Sequence, residues 1–141
     1  MERWVIFAGL SAVFAGLTAV LAKHGLDGIS SHLGLVIRTA FIFLFVLVFG
    51  WFTVPKAELG QLTWSNVLWL GVSAVTTFLS WVFYYMALKD GQVGTVALID
   101  KGSFVIAVVL GWIVLKDEFS WRVLAGAGLI LAGVVVAAWK K

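Results

Sequence analysis

The chain has no cysteine, a single proline and few charges. Without cysteine there is no disulfide, no thiol chemistry and no Cys-ligated metal. Charged residues are 12% of the 141, about half the share usual in soluble domains. The net charge of +3 is scattered along short stretches and forms no basic run, so nucleic-acid binding has no footprint here. The lone proline, Pro55, directly follows an apolar run, where it can stop a helix. No stretch is long enough to tether a soluble domain, and residues 1–141 read as one membrane domain.

Hydrophobic residues are 62% of the chain and fall into five segments: Trp4–Ala22, Leu33–Val54, Val67–Leu88, Val93–Leu115 and Trp121–Trp139. Each approaches the roughly 20 residues that a helix needs to cross the hydrocarbon core. The segments are apolar all round, which excludes a water-soluble helical core, because no polar face remains. Uninterrupted runs of this length also exclude a membrane β-barrel, whose strands alternate over about ten residues. The expected fold class is therefore an all-α membrane protein with five transmembrane helices. The first segment is longer than the apolar region of a signal peptide, and four more follow, so it is expected to be retained.

The joints carry ordinary helix punctuation. Lys23–His32 is rich in Gly, Ser and His, and Thr63 or Ser65 can cap the third helix. In the turn Lys89-Asp90-Gly91-Gln92, Gly91 suits the left-handed position that ends a helix. Ser120 can cap the fifth helix after Lys116-Asp117-Glu118-Phe119.

With five spans, Arg3, Lys56, Lys116 and Arg122 share one side, and Lys23, Lys89, Lys140 and Lys141 share the other. The positive-inside rule reads the difference between sides, and the loop count gives none. Such balance allows insertion both ways up; the alternative is one orientation set by the translocon or by the Lys140-Lys141 tail. Six of the eight tryptophans (Trp4, Trp51, Trp64, Trp112, Trp121 and Trp139) lie near span ends, as interfacial anchors do.

Small residues recur at helical spacing: Ala8, Ala12 and Gly16 in the first helix, and Gly128 and Ala132 beside Gly133 in the fifth. This spacing permits close backbone approach in lipid, either within the chain or across a dimer seam. In the third helix, Ser73, Thr77, Ser80 and Tyr84 form a weakly polar row, with Trp81 and Tyr85 alongside. A lipid-facing row has no use for four hydroxyls. We expect this face to meet other helices or a wet cavity, with Trp81 and Tyr84 facing a ligand.

Arg38, Asp100 and Lys101 are ionisable residues inside apolar spans, each costing about 2.5–3.5 kcal/mol on the insertion scale. At 1.5 Å per residue, Arg38 lies roughly 7 Å into the second span and the Asp100-Lys101 pair roughly 10–12 Å into the fourth. Both spans start on the side where Lys23 ends the first. Arg38 and Asp100 can therefore share a level and pair, which leaves Lys101 and Lys23 as surplus positive charge. Asp100 points about 100° away from Lys101 around a regular helix. A positive interior attracts an anionic or zwitterionic ligand, and ionisable groups at this depth commonly mark a transport path. The alternatives are a purely structural Arg38–Asp100 pair and a Lys101 side chain that snorkels to the interface.

The stretches Phe83-Tyr-Tyr-Met-Ala-Leu-Lys-Asp-Gly-Gln92 and Leu115-Lys-Asp-Glu-Phe-Ser-Trp-Arg-Val-Leu124, with the Gly128-Leu-Ile-Leu-Ala-Gly-Val134 run, carry a family pattern. Together with Ala22-Lys-His-Gly25, Ile37-Arg-Thr39 and Ile99-Asp-Lys101 they resemble the EamA domain of the drug/metabolite transporter superfamily, in its short, single-repeat form. Most relatives carry two five-helix repeats in opposite orientations and export metabolites. For one repeat, the resemblance implies an antiparallel homodimer with dual topology in a prokaryotic plasma (inner) membrane. It would export a small polar metabolite, anionic or zwitterionic, by alternating access. The candidate substrate residues are Lys101, Asp100, Arg38, Trp81, Tyr84 and Lys23, and Gly128, Ala132 and Gly133 are the candidate packing face. The four-helix multidrug members of the superfamily use a carboxylate in the first helix, which this chain lacks, so export of hydrophobic cations is not expected.

The implied partners are membrane lipid, a second copy and a small-molecule metabolite. No cofactor and no metal are expected. A dual-topology ion channel and a subunit of an isoprenoid-phosphate lipid flippase are the competing functions. An enzyme has least support, because His24 and His32 lie near a span end without a matched acid.

Overall fold

The computed structural model describes residues 2–118 and 120–139. Phe119 of the last hairpin and Lys140-Lys141 of the orientation count lie outside the described residues. The elements are helices α1 (Arg3–Gly25), α2 (Ser31–Thr53), α3 (Lys56–Leu59), α4 (Trp64–Asp90), α5 (Val93–Asp100) and α6 (Ser103–Leu110), a π-helical turn (Gly111–Leu115) and helix α7 (Trp121–Ala138). Five stretches are long and apolar enough to cross a membrane: α1, α2, α4, Val93–Leu115 and α7. Large apolar side chains lie exposed along all of them, with Trp51 at 84%. Water would penalise that surface and lipid does not.

Local chemistry sets the joints. Ser30 caps α2, its hydroxyl accepting the Leu33 N–H at 3.2 Å. Pro55 ends the second span as expected, and it also opens the short helix α3, where a missing N–H costs nothing. Of the two candidate caps for α4, Thr63 is the one used. Asn66 N–H donates to the Thr63 hydroxyl at 3.3 Å and Thr63 N–H to the Asn66 amide oxygen at 3.1 Å, a reciprocal capping box. Ser120 occupies the N-cap position of α7 with extended backbone, but its side chain makes no capping hydrogen bond.

The expectation for Gly91 fails. Among the described residues the glycine with positive φ is Gly28, at 71°, in the turn after α1. Lys116 is left-handed as well, at φ 58°, where it closes the π-helical turn and Asp117 N–H reaches the Gly111 carbonyl at 3.2 Å. A β-carbon on Gly111 would lie 2.6 Å from an Asp117 carboxylate oxygen, so this hairpin closes over a glycine.

The fourth span is not one regular helix, contrary to the sequence expectation. α5 stops at Asp100 and α6 starts at Ser103. Across the join, Gly102 N–H donates to Ile99 O (2.9 Å), Phe104 N–H to Lys101 O (3.0 Å) and Val105 N–H to Gly102 O (3.1 Å). These are i→i−3 bonds, the tighter 3₁₀ pattern, which often marks a hinge or strain in mid-helix. A β-carbon on Gly102 would sit 3.0 Å from the Ile99 carbonyl oxygen, so glycine allows the tight winding.

The helices group into two compact units, Ala22–Asp90 and the described residues up to Leu21 together with those from Gly91 onward. In the first, α2 packs on α4 around buried Leu26, Leu35, Tyr85 and Leu88. Gly34 is needed there, because a β-carbon would run into the Leu26 side chain. In the second, α5 and α6 both pack on α7, with Ala127 buried and Val134 3.7 Å from the β-carbon position of Gly102.

Candidate functional site

Arg38 lies seven residues into α2, roughly 10 Å from its first residue. Its guanidinium carbon is 4.6 Å from the centre of the Trp81 ring and 5.8 Å from that of Tyr85. Trp81 and Tyr85 are four residues apart on α4 and so share a face. A cation over a ring is held by about 0.5–2 kcal/mol, more as water is removed. Arg38 is half-buried, and within its unit no hydrogen bond or carboxylate engages the guanidinium among the described residues. Its five N–H donors form a planar fork that can take up an anion.

Trp81, expected from the sequence to face a ligand, lies next to a charge. Tyr85 joins Trp81 at the arginine. The Tyr84 ring packs against that of the buried Tyr85, centres 6.3 Å apart at 61°. The signal for Tyr85 was its i+4 spacing from Trp81.

Trp81 also forms one end of a groove of about 780 Å³ between α2 and α4. Leu35, Thr39 and Phe43 line it from α2, and Leu70, Ser73, Thr77 and Phe78 from α4. The hydroxyl row read from the sequence therefore enters this groove in part. The Thr77 and Thr76 hydroxyls both donate to the Ser73 carbonyl, at 2.9 and 2.8 Å, so these protons point along their own helix.

Lys23 sits on the end of α4. Its ammonium donates to the carbonyls of Leu88 (2.7 Å) and Lys89 (2.8 Å), and Lys89 donates in return to Leu26 O (2.8 Å). Helix ends leave carbonyls without partners and carry partial negative charge, so two lysines exchanged between neighbouring ends satisfy both. Lys89 was not singled out from the sequence. Its position in the last turn of α4 was the signal. A pocket of about 320 Å³ opens beside this exchange and includes His24 and Asp27.

Asp100 and Lys101 flank the break in the fourth span and are brought together, with Nζ 3.5 Å from Oδ2. The separation expected from helical geometry fails because the lysine's four-carbon stem swings back to the neighbouring carboxylate. Lys101 also lies 5.3 Å from the ring centre of Phe104. Their side chains are 38% and 35% exposed, and at depth in a span each charge offsets part of the cost of the other.

Gly128 and Ala132 are exposed, whereas Gly133 is partly covered. The face that α7 turns inward runs through Ala127, Ile130 and Val134. Gly133, three residues from Ile130, joins that face, and Gly128 and Ala132 do not.

The EamA-like transporter family matches residues 2–139. A protein of Sinorhizobium sp. named "Uncharacterized transporter in cobO 3'region" is 35% identical over 137 residues, 97% of either chain. No solved structure matches.

Proposed function

The chain belongs to the EamA-like transporter family, and from that premise we propose that this integral membrane transporter is a secondary carrier exporting a small metabolite that bears a negative charge or both signs. It works by alternating access in an antiparallel homodimer of five-helix protomers in a prokaryotic plasma membrane. Arg38 carries the reading. A guanidinium at depth in a span, beside two rings and met by no carboxylate among the described residues of its unit, attracts an anion. In the other unit, the Asp100–Lys101 pair puts one group of each sign at the break in the fourth span.

Two features support the dimer. The loop cations are balanced between sides, and a single odd-numbered repeat recreates an inverted pair only by inserting both ways up. Gly128 and Ala132 stay exposed on α7, small residues against which a second helix can pack closely.

The test is uptake into proteoliposomes of radiolabelled organic acids and amino acids. Saturable uptake that Arg38→Gln reduces at least tenfold supports the reading. Uptake linear in concentration and accompanied by conductance would favour a dual-topology channel instead.

A further inference from the structure

The groove beside Arg38 narrows the kind of substrate. It runs along α4 from Trp81 to Leu70, roughly 16 Å at 1.5 Å per residue. Its walls are Leu35, Phe43, Phe78 and similar side chains, and the Thr77 hydroxyl is turned to its own helix. One end differs. There Trp81 lines the groove and also lies against Arg38, whose guanidinium carbon is 4.6 Å from its ring centre although Arg38 itself is not part of the groove wall. A wholly polar anion would satisfy Arg38 and leave the groove with nothing to bury. A wholly apolar molecule would do the reverse.

We propose that the substrate is an amphipathic carboxylate, with its acid group on the edge of Arg38 and an apolar body of a ring or a short chain along the α2–α4 groove. This deepens the carrier reading and rests on it for transport, though not for binding. A carboxylate suits the site because its two oxygens match the planar fork of a guanidinium in a bidentate pair. Contact with the Trp81 and Tyr85 rings restricts the arginine side chain before the ligand arrives, so less freedom is lost on binding. The apolar body then adds affinity in proportion to the surface it removes from water. Size agrees as well, since about 780 Å³ lies within the range of small-ligand sites and far exceeds what acetate fills.

The probes are 3-phenylpropanoate, its neutral amide, 3-phenylpropylamine and acetate, titrated into the full chain in nanodiscs, with empty nanodiscs correcting for partition into lipid. Phenylpropanoate should bind roughly ten- to a hundredfold more tightly than its amide, the range for hydrogen bonds to a charged group. It should exceed acetate by at least tenfold, and the amine should bind most weakly. Arg38→Gln should remove the preference for acid over amide, and Arg38→Lys should keep part of it. Thr77→Phe, which fills the groove, should remove the preference for phenylpropanoate over acetate.

Equal binding of acid and amide overturns the proposal, and so does equal binding of acetate and phenylpropanoate. If Thr77→Phe changes no affinity, the groove is covered by an acyl chain or by a second copy, and the proposal falls. The two readings fail separately. Saturable uptake of polar solutes without preference for an apolar body removes this proposal and leaves the carrier. Intact selective binding without saturable uptake of any solute removes the carrier and leaves the site.

Discussion

Lys23→Met separates a structural lysine from a substrate-binding one. Lys23 donates two hydrogen bonds, at 2.7 and 2.8 Å, to the last carbonyls of α4, beside the fully buried Leu88. Hydrogen bonds from a charged donor contribute about 1.5–3 kcal/mol each, and a cation at a helix C-terminus adds about 0.3–1 kcal/mol. The site is only partly buried, so water replaces some of the loss. A net destabilisation of about 2–3 kcal/mol is the outcome consistent with those terms. Methionine keeps much of the packing of the lysine stem, so the charge and its donors are what the change removes. The assay is reversible denaturant unfolding in detergent, with transport measured on the same preparations. Lys89→Met removes the returning bond to Leu26 O, and the two changes together should fall short of their sum by about 0.5–1 kcal/mol, because they brace one another. Unchanged stability with abolished transport would refute the reasoning and return Lys23 to the substrate path.

Asp100→Asn, which leaves Lys101 without its carboxylate, should lower the folded yield more than Asp100→Asn combined with Lys101→Met; solubilised yield by fluorescence size-exclusion shows which is lower. Lys101→Met alone should reduce the affinity for an anion in titration by less than Arg38→Gln does, since Asp100 already compensates the lysine. Reporters at the C-terminus should be found on both faces of the membrane, and lysines added in Pro55–Asn66 should bias the ratio. A single face with the unaltered chain would contradict dual insertion.

The spans were legible in the sequence because hydropathy and length are summed over some twenty residues, and no single side chain can overturn the sum. Arg38 and Trp81 were legible for a similar reason, since each is out of place in an apolar run. What escaped depended on neighbours or on backbone winding. The break at Asp100-Lys101-Gly102 lies inside a run with ample apolar content, and its sign was a glycine beside two charges. The same tight turn lies beside Asp100 and Lys101, and the flexible lysine stem brings together groups that a regular helix sets about 100° apart. Trp81, Tyr84 and Tyr85 could be read to one region of α4, but which ring meets Arg38 depends on a single position along the helix. Lys23 read as surplus charge because carbonyls at a helix end are invisible in a residue sequence, although they attract a lysine as a carboxylate does. Gly91 satisfied the rule for a helix-ending glycine, and the left-handed glycine is instead Gly28, in the turn over which Leu26 folds onto Gly34.

The central claim is that this chain is a carrier with its anion site at Arg38, and counterflow measures it most directly. Proteoliposomes are preloaded with unlabelled 3-phenylpropanoate, and entry of the labelled compound is followed. A site that alternates between faces carries label inward faster when it returns loaded, so preloading should accelerate entry severalfold in the unaltered protein and not in Arg38→Gln. Entry that is indifferent to what lies on the far side, in protein shown to be folded and to bind the probe, would contradict it.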